Sequence, residues 1–379
     1  MPFKSHLLTP GPTPIPQRVA LAMAQPIPHH RSPAFERVFA ECRQGLQWIF
    51  GTSQEVLIQS SSGTGALEGA IVNLCRRGQP IVYVNGGKFG ERWGKIAAAY
   101  GLPAHEIRVP WGEAVDPAEA RRALAAVPEA AALCVQASES STGVAHPIRE
   151  LAGLTGGTET CLVVDAVSAL GAMPLPMDSW GIDVLVTASQ KALMLPPGLA
   201  FSAASSKAWQ RIQQADLPRF YFDWRAELAA QRRGQALWTP AISLILGLAE
   251  VLRWLREETL EGIYARHDRL GRATRAAMEA LGLTLFAKRP AAALTTVNCP
   301  VDSEKLIELL RDKYGVTFVG GQDAAKGKIL RIAHLGYFDD FDIVVAVAAI
   351  ERGLAELGYQ KVPFGTGVGA ALAVFASDR

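Results

Sequence analysis

Short apolar segments of strand length alternate with helical patterns through the first half of the chain. A parallel sheet requires such an alternation, because each return to the same edge of the sheet needs a crossover, which is usually a helix. The sequence therefore predicts an α/β fold with a parallel sheet. The predicted strands are 55–59, 81–84, 132–136, 162–164 and 184–187, with helices at 65–75 and 91–99.

The length of the chain predicts two domains, since 379 residues exceed the size at which one hydrophobic core usually divides. Four prolines in a short N-terminal stretch predict an extended arm at 1–18, and Ser32 with Pro33 predicts the start of a helix. A large domain is expected at 19–255 and a smaller C-terminal α/β domain at 256–379. The smaller domain has predicted strands at 294–298 and 329–332 and predicted helices at 303–314 and 341–357.

Three further segments complete this organisation. The pattern weakens into a polar stretch at 200–230, and a long helical region at 242–281 is expected to link the domains. The glycine-rich tail at 365–371 follows no convincing strand, so it is not interpreted as a dinucleotide-binding loop.

Charge and cysteine content argue against several classes of function. Lys and Arg total 38 against 36 Asp and Glu, without long runs of one sign, so the composition does not favour binding to nucleic acid or to an anionic membrane. Five scattered cysteines without a CxxC pattern predict reduced core thiols and no metal site. The chain contains no apolar run long enough to span a membrane, which favours a cytoplasmic protein.

Two ionisable residues follow predicted strands. Asp165 ends the strand at 162–164, and Lys191 lies just past the strand at 184–187, 26 residues later (191 − 165 = 26). Pyridoxal 5′-phosphate needs an amine to hold its aldehyde as a Schiff base and a carboxylate to keep its pyridine nitrogen protonated. Taken singly, Lys191 could be a solvated charge and Asp165 a helix cap. Together they predict a pyridoxal phosphate enzyme.

A turn rich in Ser and Gly predicts a phosphate site. Ser62, Gly63 and Thr64 lie between a predicted strand and an apolar helix, where free backbone amides and the positive end of the helix attract anions. Such turns also cap helices that bind nothing. The presence of Lys191 and Asp165 favours the interpretation of this turn as a phosphate site. Gln190, just before Lys191, is a further candidate donor to the phosphate.

Three more residues are expected near the cofactor ring. Phe89 follows the strand at 81–84 and could stack on the ring or close the core beneath its loop. Val167 lies two residues after Asp165 and could pack on the opposite ring face. Ser140 follows another strand and could donate a hydrogen bond to the phenolic oxygen of the cofactor.

Six motifs occur in order: Thr-Pro-Gly-Pro, Ser-Gly-Thr-Gly-Ala-Leu-Glu, Glu-Ser-Ser-Thr-Gly-Val, Val-Asp-Ala-Val-Ser, Ser-Gln-Lys-Ala-Leu and Leu-Arg-Ile-Ala-His-Leu-Gly. With this set the chain resembles the class V aminotransferases of fold type I, nearest to the alanine:glyoxylate and serine:pyruvate aminotransferase group. The resemblance covers nearly the whole chain. It implies a large domain with a mainly parallel seven-stranded sheet, a small C-terminal domain, and a homodimer with shared active sites.

The resemblance also implies roles for the residues of the site. Lys191 would form the Schiff base, and Asp165 would pair with the pyridinium nitrogen. Ser140 would bond to the phenolic oxygen, and Phe89 and Val167 would pack on the two faces of the ring. The position of Phe89 is often tryptophan in this family.

Further roles concern the substrate and the partner subunit. Arg331, in Leu-Arg-Ile, is expected to bind the substrate α-carboxylate, which suits a planar guanidinium. Gly11 in the arm is another candidate for the substrate site. Thr239 is the candidate phosphate donor from the partner subunit, although the tyrosine often found a few residues earlier in the family is replaced by Gly-Gln-Ala-Leu at 234–237.

The implied reaction is a ping-pong transamination through pyridoxamine phosphate. Alanine or serine would pass its amino group to glyoxylate or pyruvate. A cluster at His29, His30 and Arg31 is either a surface feature or a site for a second acidic group. A site for a second acidic group would favour 2-aminoethylphosphonate:pyruvate transamination, although that donor has no α-carboxylate for Arg331 to bind.

Two other functions remain as alternatives. A cysteine desulfurase or β-lyase shares the fold, but desulfuration needs a loop cysteine, and Cys299 is the only downstream one. The second alternative is a non-catalytic role, because relatives carry the label of a soluble hydrogenase subunit. The intact cofactor residues Lys191 and Asp165 argue against it.

Overall fold

The computed structural model describes residues 4–377, in which strands and helices alternate. Its strands are β1 (His6–Leu7), β2 (Val56–Ser61), β3 (Ile81–Asn85), β4 (Ala104–Arg108), β5 (Ala132–Gln136), β6 (Ser138–Glu139), β7 (Val144–Ala145), β8 (Cys161–Asp165), β9 (Val184–Ala188), β10 (Gly198–Ala204), β11 (Leu294–Asn298), β12 (Val316–Thr317), β13 (Val319–Gly320) and β14 (Ile329–Ala333). Its α-helices are α1 (Gln17–Met23), α2 (Pro33–Phe50), α3 (Gly63–Leu74), α4 (Gly90–Ala99), α5 (Pro117–Ala126), α6 (Ile148–Thr155), α7 (Met177–Trp180), α8 (Ser206–Ile212), α9 (Trp224–Arg232), α10 (Ile242–Glu258), α11 (Leu260–Ala280), α12 (Ser303–Tyr314), α13 (Asp340–Glu356) and α14 (Thr366–Ser377). A short 3-10 helix covers Asp323–Ala325.

Capping residues determine where the helices begin. The side chain of Ser32 accepts a hydrogen bond from the backbone of Phe35, and Pro33 occupies the first turn of α2, as the sequence predicts. The helix α2 ends at Gly51, whose positive φ of 61° is accessible to glycine at little cost. Ser62 caps α3 in the same way, so the amino end of α3 starts directly after β2.

Seven strands form the central sheet in the order β2-β10-β9-β8-β5-β3-β4. The pairs β3–β4, β3–β5, β5–β8 and β8–β9 are parallel, while β10 runs antiparallel to both β2 and β9. The prediction of a mainly parallel seven-stranded sheet is confirmed.

The stretch at 200–230 contains regular structure that its sequence pattern does not indicate. The strand β10 has the sequence Gly-Leu-Ala-Phe-Ser-Ala-Ala and is almost entirely buried, so its side chains show no alternation between apolar and polar. The helices α8 and α9 follow it, capped by Ser205 and Asp223. The edge strand β4 and the helices α5 and α6 also lie outside the predicted elements.

The carboxyl ends of the parallel strands meet at one edge of the sheet. Asp165 is the last residue of β8, and Lys191 follows the neighbouring strand β9. Phe89 follows β3, and Ser140 lies just beyond β5 and β6. Ligands of open α/β sheets bind in the crevice outside these strand ends. The topology therefore brings residues that are far apart in sequence to one place.

The C-terminal part of the chain is built on the three-stranded antiparallel sheet β11-β14-β13, with α12 and α13 packed together beside it. The predicted elements in this part agree with the observed ones to within a residue or two. The glycine-rich tail is not a loop, because α14 covers most of it and packs on α11. The proposed limits of the domains, near residues 18 and 255, stay a prediction.

The N-terminal arm lies against this C-terminal part. Its strand β1 pairs in parallel with β12, so that His6 is opposite Val316. Leu8 is 1% exposed and belongs to the same hydrophobic cluster as Ile332 and Leu335. The arm then crosses to the edge of the central sheet, where Thr13 bonds to the backbone of Lys191.

All five cysteines are free thiols, and four of them are buried. Burial raises the pKa of Cys75 and of Cys161 to about 12, so both remain protonated at neutral pH. Among residues 4–377, no helix is both long and apolar enough to cross a membrane.

Candidate active site

Lys191 lies in a pocket closed by the N-terminal arm. Its Nζ donates a hydrogen bond to the backbone oxygen of Pro10, and its own backbone oxygen accepts one from Thr13 Oγ1 at 2.8 Å. Burial lowers the pKa of Lys191 to about 8, assisted by the charges of Arg331 and Arg92, while Asp165 acts in the opposite direction. A substantial fraction of the amine is therefore neutral near pH 8 and able to act as a nucleophile or base.

Gly11 makes this arrangement possible. Its φ is +132°, and a Cβ atom at this position would lie 2.2 Å from Nζ of Lys191. Residues other than glycine rarely adopt this φ, and a methyl group here would also push the flexible end of Lys191 aside. Gly11 therefore lies next to Lys191, and its predicted contact with a substrate stays a prediction.

Asp165 is 6% exposed at the end of β8. Its Oδ1 accepts a hydrogen bond of 2.8 Å from the backbone of Val167. Burial raises the pKa of Asp165 to about 6, and this hydrogen bond opposes the shift only in part. A buried carboxylate with this shift is stabilised by a cationic partner, and a protonated pyridine nitrogen is such a partner.

The turn for which the sequence predicts an anion site forms the amino end of α3, and the binding of an anion there stays a prediction. The side chain of Ser62 accepts from the backbone of Gly65 at 3.4 Å, and the amides of Gly63 and Thr64, in the first turn, have no acceptor within the helix. A Cβ atom at Gly63 would lie 2.9 Å from Val167 Cγ2, so the turn packs closely on the loop after β8. Oε1 of Gln190 is buried and has no hydrogen-bond partner in the described chain.

A buried acid that the sequence analysis missed holds two parts of the site together. Glu139 is fully buried and accepts hydrogen bonds from the backbone amides of Phe89 at 3.2 Å, Gly90 at 2.9 Å and Ser141 at 3.1 Å. Ser141 Oγ adds a further bond at 2.5 Å. Burial raises the pKa of Glu139, against these hydrogen bonds. Glu139 therefore ties the turn that carries Phe89 to the turn that carries Ser140.

Arg331 connects the C-terminal part to the central sheet. From β14 its Nη1 donates to the backbone oxygen of Ser140 at 2.9 Å, and its Nε donates to that of Gly320 at 2.7 Å. Arg331 is 7% exposed, and burial lowers the pKa of its guanidinium to about 10, with Glu139 acting in the opposite direction. These two bonds use two of its five N–H donors, so donors remain for a carboxylate.

A second contact crosses the same cleft. Lys88, next to Phe89, forms ion pairs with Glu91 at 2.8 Å and with Asp323 at 2.6 Å. Asp323 belongs to the short 3-10 helix that precedes β14. The loop that carries the predicted stacking ring is thus linked directly to the segment that precedes Arg331.

Two predicted site residues are not joined to Lys191 by any contact in the described chain. Arg31 is exposed, and its backbone donates to Nδ1 of His29 at 3.2 Å. Thr239 is exposed beside a cleft that Ser60 and Tyr221 also line. Their roles toward a second acidic group and toward a partner subunit stay predictions.

The described residues fit pyridoxal phosphate on their own chemistry. The buried amine of Lys191, the buried acid of Asp165 and the anion site at Ser62 and Gly63 supply the three functions that this cofactor needs. The unpaired amide oxygen of Gln190 indicates that a polar group belongs beside it. Among residues 4–377 there is no cluster of three or more His, Cys, Asp or Glu placed to hold a metal ion.

Comparison with known proteins agrees with this geometry. A family model described as "Aminotransferase class-V" matches residues 6–337. The soluble hydrogenase small subunit of Synechococcus sp. (strain PCC 6716) is 40% identical over 100% of both chains. The L-aspartate–glyoxylate aminotransferase of Paracoccus denitrificans is 34% identical over 98% of this chain and 96% of its own. The structure of pyridoxamine-pyruvate aminotransferase from Mesorhizobium loti gives a TM-score of 0.94 at 29% identity, covering 100% of this chain and 98% of that one.

Replacing Gly11 by alanine tests the contact between the arm and Lys191. We expect Gly11→Ala to lower kcat at least about tenfold, because the methyl group would displace the amine by more than the tolerance of a reacting group. The matched control is Gly78→Ala, which also has a positive φ but no atom within 4 Å of the new methyl group. Steady-state kinetics that do not distinguish the two variants would contradict the interpretation.

Because the pKa of Asp165 is raised in the folded chain, replacing its carboxyl group by a neutral amide should stabilise the fold, and the size of this gain should depend on pH. The folded, cofactor-free chain holds the proton of Asp165 up to about pH 6, whereas the unfolded chain releases it near 3.8. Ionised Asp165 therefore destabilises the fold above pH 6, and this penalty fades as the pH falls toward 4. We expect Asp165→Asn to stabilise the cofactor-free protein by up to about 3 kcal/mol at pH 8 and to abolish transamination.

Denaturant unfolding at pH 5 and pH 8 measures this difference. The exposed variant Glu129→Gln serves as the control for loss of one negative charge. If Asp165→Asn raised the free energy of unfolding equally at both pH values, the raised pKa could not be assigned to this carboxyl group.

Proposed function

The chain belongs to the class-V aminotransferases, and we propose that it uses pyridoxal 5′-phosphate to transfer the amino group of alanine or serine to glyoxylate or pyruvate. The observation that carries this proposal is the buried pair at the strand ends. Burial lowers the pKa of Lys191, which favours the neutral amine that must attack the aldehyde, and it leaves Asp165 as a buried carboxyl group for which a protonated ring nitrogen would be the cationic partner.

Each end of the cofactor has a group of this chain that would hold it. Lys191 would hold the aldehyde, Asp165 the ring nitrogen, and the turn at Ser62, Gly63 and Thr64 the phosphate. Phe89 and Val167 would cover the ring, with Ser140 at the phenolic oxygen and Gln190 as a further donor to the phosphate. Bound in this way, pyridoxal phosphate supplies a protonated ring that accepts the electron pair released when the donor loses its Cα proton.

Lys191 is the group that moves this proton. Once the donor has replaced it on the cofactor, its amine is free, and a pKa near 8 leaves much of it neutral at slightly alkaline pH. Neutral Lys191 would take the proton from Cα of the donor and would hold it for the later return step. Asp165 remains ionised beside the protonated ring nitrogen throughout, and the arm at Pro10 limits access of water to the amine.

Arg331 binds the α-carboxylate of the donor in this proposal. Its remaining N–H donors can grip both oxygens of a carboxylate. Because Arg331 also bonds to Ser140 in the turn after β6, substrate binding at Arg331 would be coupled to the contact between the C-terminal part and this turn. The same residue would then bind the carboxylate of the acceptor in the second half of a ping-pong reaction.

A small donor suits the space around Lys191. The backbone oxygen of Pro10 accepts a hydrogen bond from Nζ and Gly11 lies next to it, so the arm approaches the reacting amine closely. Arg31, the candidate for a second acidic group, is exposed. The Paracoccus relative is named for aspartate, which makes aspartate the most informative comparison among larger donors.

The proposal includes a homodimer. Thr239 and the neighbouring rings of Tyr221 and Trp238 lie at the surface, where Tyr221 stacks on Trp238 with a centroid distance of 6.1 Å. Phe220 is 78% exposed beside them. Exposed aromatic rings of this kind favour a protein interface, in which Thr239 would reach the phosphate site of the partner subunit.

Desulfuration is disfavoured by the position of the only downstream cysteine. Cys299 follows β11, and its backbone amide bonds to the backbone oxygen of Lys328 at 2.8 Å. Burial raises the pKa of its thiol, which reduces the fraction of nucleophilic thiolate. The name of the Synechococcus relative suggests a role in a hydrogenase, which absorbance of a bound cofactor and turnover by the purified chain would argue against.

The first test is a single half-reaction. We expect alanine or serine, added to the holoenzyme without an acceptor, to change the cofactor absorbance and to release one keto acid per site. Aspartate and 2-aminoethylphosphonate are the comparison donors, and glyoxylate or pyruvate should restore the original spectrum. Lys191→Ala is expected to show no steady-state turnover. Release of no keto acid with either alanine or serine, or measurable turnover in Lys191→Ala, would overturn the proposal.

A second test concerns the carboxylate site. We expect Arg331→Lys to lower kcat/KM by about 10- to 100-fold, mainly through KM, because an ammonium cannot form the paired bonds of a guanidinium. Arg311→Lys, an exposed substitution in α12, is the control. An unchanged KM for alanine and serine in Arg331→Lys would assign the carboxylate to another residue.

A further inference from the structure

Arg92 joins the amino ends of two helices at the site. It lies in the first turn of α4, and its Nη1 donates a hydrogen bond of 2.9 Å to Oγ1 of Thr64, in the first turn of α3. Thr64 is one of the residues of the proposed phosphate site. Arg92 therefore reaches from the helix after Phe89 to the helix that would bind the phosphate.

The guanidinium of Arg92 also covers one face of the Phe89 ring. Its Cζ lies 4.9 Å from the ring centroid, within the range of a cation–π contact. With one face covered in this way, the opposite face of the ring is the one left for stacking. Because Thr64 holds the guanidinium of Arg92 in place, the Phe89 ring is positioned by this contact as well as by its own backbone.

Within residues 4–377, no carboxylate forms an ion pair with this guanidinium. Glu91, the adjacent acid on α4, pairs with Lys88 at 2.8 Å and Lys95 at 2.8 Å instead. Glu139, below the same turn, is occupied by backbone amides. The positive charge of Arg92 therefore acts on the site, where it contributes to lowering the pKa of Lys191 and of Asp165.

We propose that Arg92 is a positioning residue of the site, which holds the Phe89 ring for stacking and supplies an uncompensated positive charge beside the phosphate turn. This inference rests on the proposed use of pyridoxal phosphate. It assigns two separable contributions to one side chain. The geometric contribution needs the planar guanidinium to reach Thr64 and Phe89 together, whereas the electrostatic one needs only a positive charge.

Two substitutions separate these contributions. Arg92→Lys keeps the charge but loses the planar group, and Arg92→Gln loses both. The control is Lys95→Gln on the same helix, which removes an exposed charge that pairs with Glu91. Because Thr64 belongs to the proposed phosphate site itself, the contact is tested from the Arg92 side alone.

Two readouts do not depend on turnover. One is the dissociation constant of pyridoxal phosphate, measured by absorbance titration of the cofactor-free protein. The other is the pH midpoint at which Lys191 in the cofactor-free protein reacts with an amine-selective acylating reagent, followed by peptide mass spectrometry. Thermal unfolding of each variant confirms that it is folded before either measurement.

We expect Arg92→Lys and Arg92→Gln both to weaken cofactor binding by about tenfold. Only Arg92→Gln should move the reaction midpoint of Lys191 to higher pH, because only this variant removes the charge. Lys95→Gln should leave both quantities unchanged.

An unchanged dissociation constant in both Arg92 variants would overturn the positioning role, and an unchanged midpoint in Arg92→Gln would overturn the electrostatic one. Failure of the proposed function has a different signature. In that case the unsubstituted protein itself would bind no cofactor or release no keto acid, whatever residue stands at position 92.

Discussion

The parallel pairing of β8 and β9 determines where the chemistry of this protein takes place. Both strands end at the same edge of the central sheet, so Asp165 and the lysine that follows β9 lie close enough to affect each other's ionisation. Every other part of the site is arranged around this pair. The first turn of α3, the turn that carries Phe89 and the turn after β5 come from strand ends at the same edge, and β14 contributes Arg331 from the opposite side.

Desolvation is the common physical cause of the unusual ionisation in this site. Removing Asp165 and Lys191 from water disfavours the charged form of each, so the acid becomes weaker and the amine less basic. In the folded chain their mutual attraction offsets only part of that penalty. The site is thus prepared for a ligand that is anionic at one end and cationic at its ring nitrogen. Without a ligand, the burial of these charges is unfavourable. A ligand with complementary charges would remove this cost, and its binding would be stronger by the same amount.

The sequence was sufficient for residues whose role follows from their position at a strand end. Lys191, Asp165 and the turn at Ser62 could be predicted because a pattern of strands and helices fixes which residues meet at a sheet edge. Glu139 and Arg92 could not, since their roles depend on which backbone amides and which ring they face across two separate turns. The strand β10 was missed because small apolar side chains buried on both faces leave no period to detect. The roles of Thr239 and Arg31 depend on a partner subunit or a substrate, which one chain does not contain.

The path of the N-terminal arm has a consequence for how the protein is made. His6 pairs with Val316, and Pro10 then contacts Lys191, so the arm is synthesised about 300 residues before its partner strand. The central sheet can form while translation continues, but the arm stays without its strand partner until β12 has emerged. The pocket around Lys191 is therefore completed late in biosynthesis, and a truncated or stalled chain would carry the lysine in an open, solvated crevice. Assembly in this order keeps an unfinished chain from presenting a reactive, partly neutral amine in its final environment.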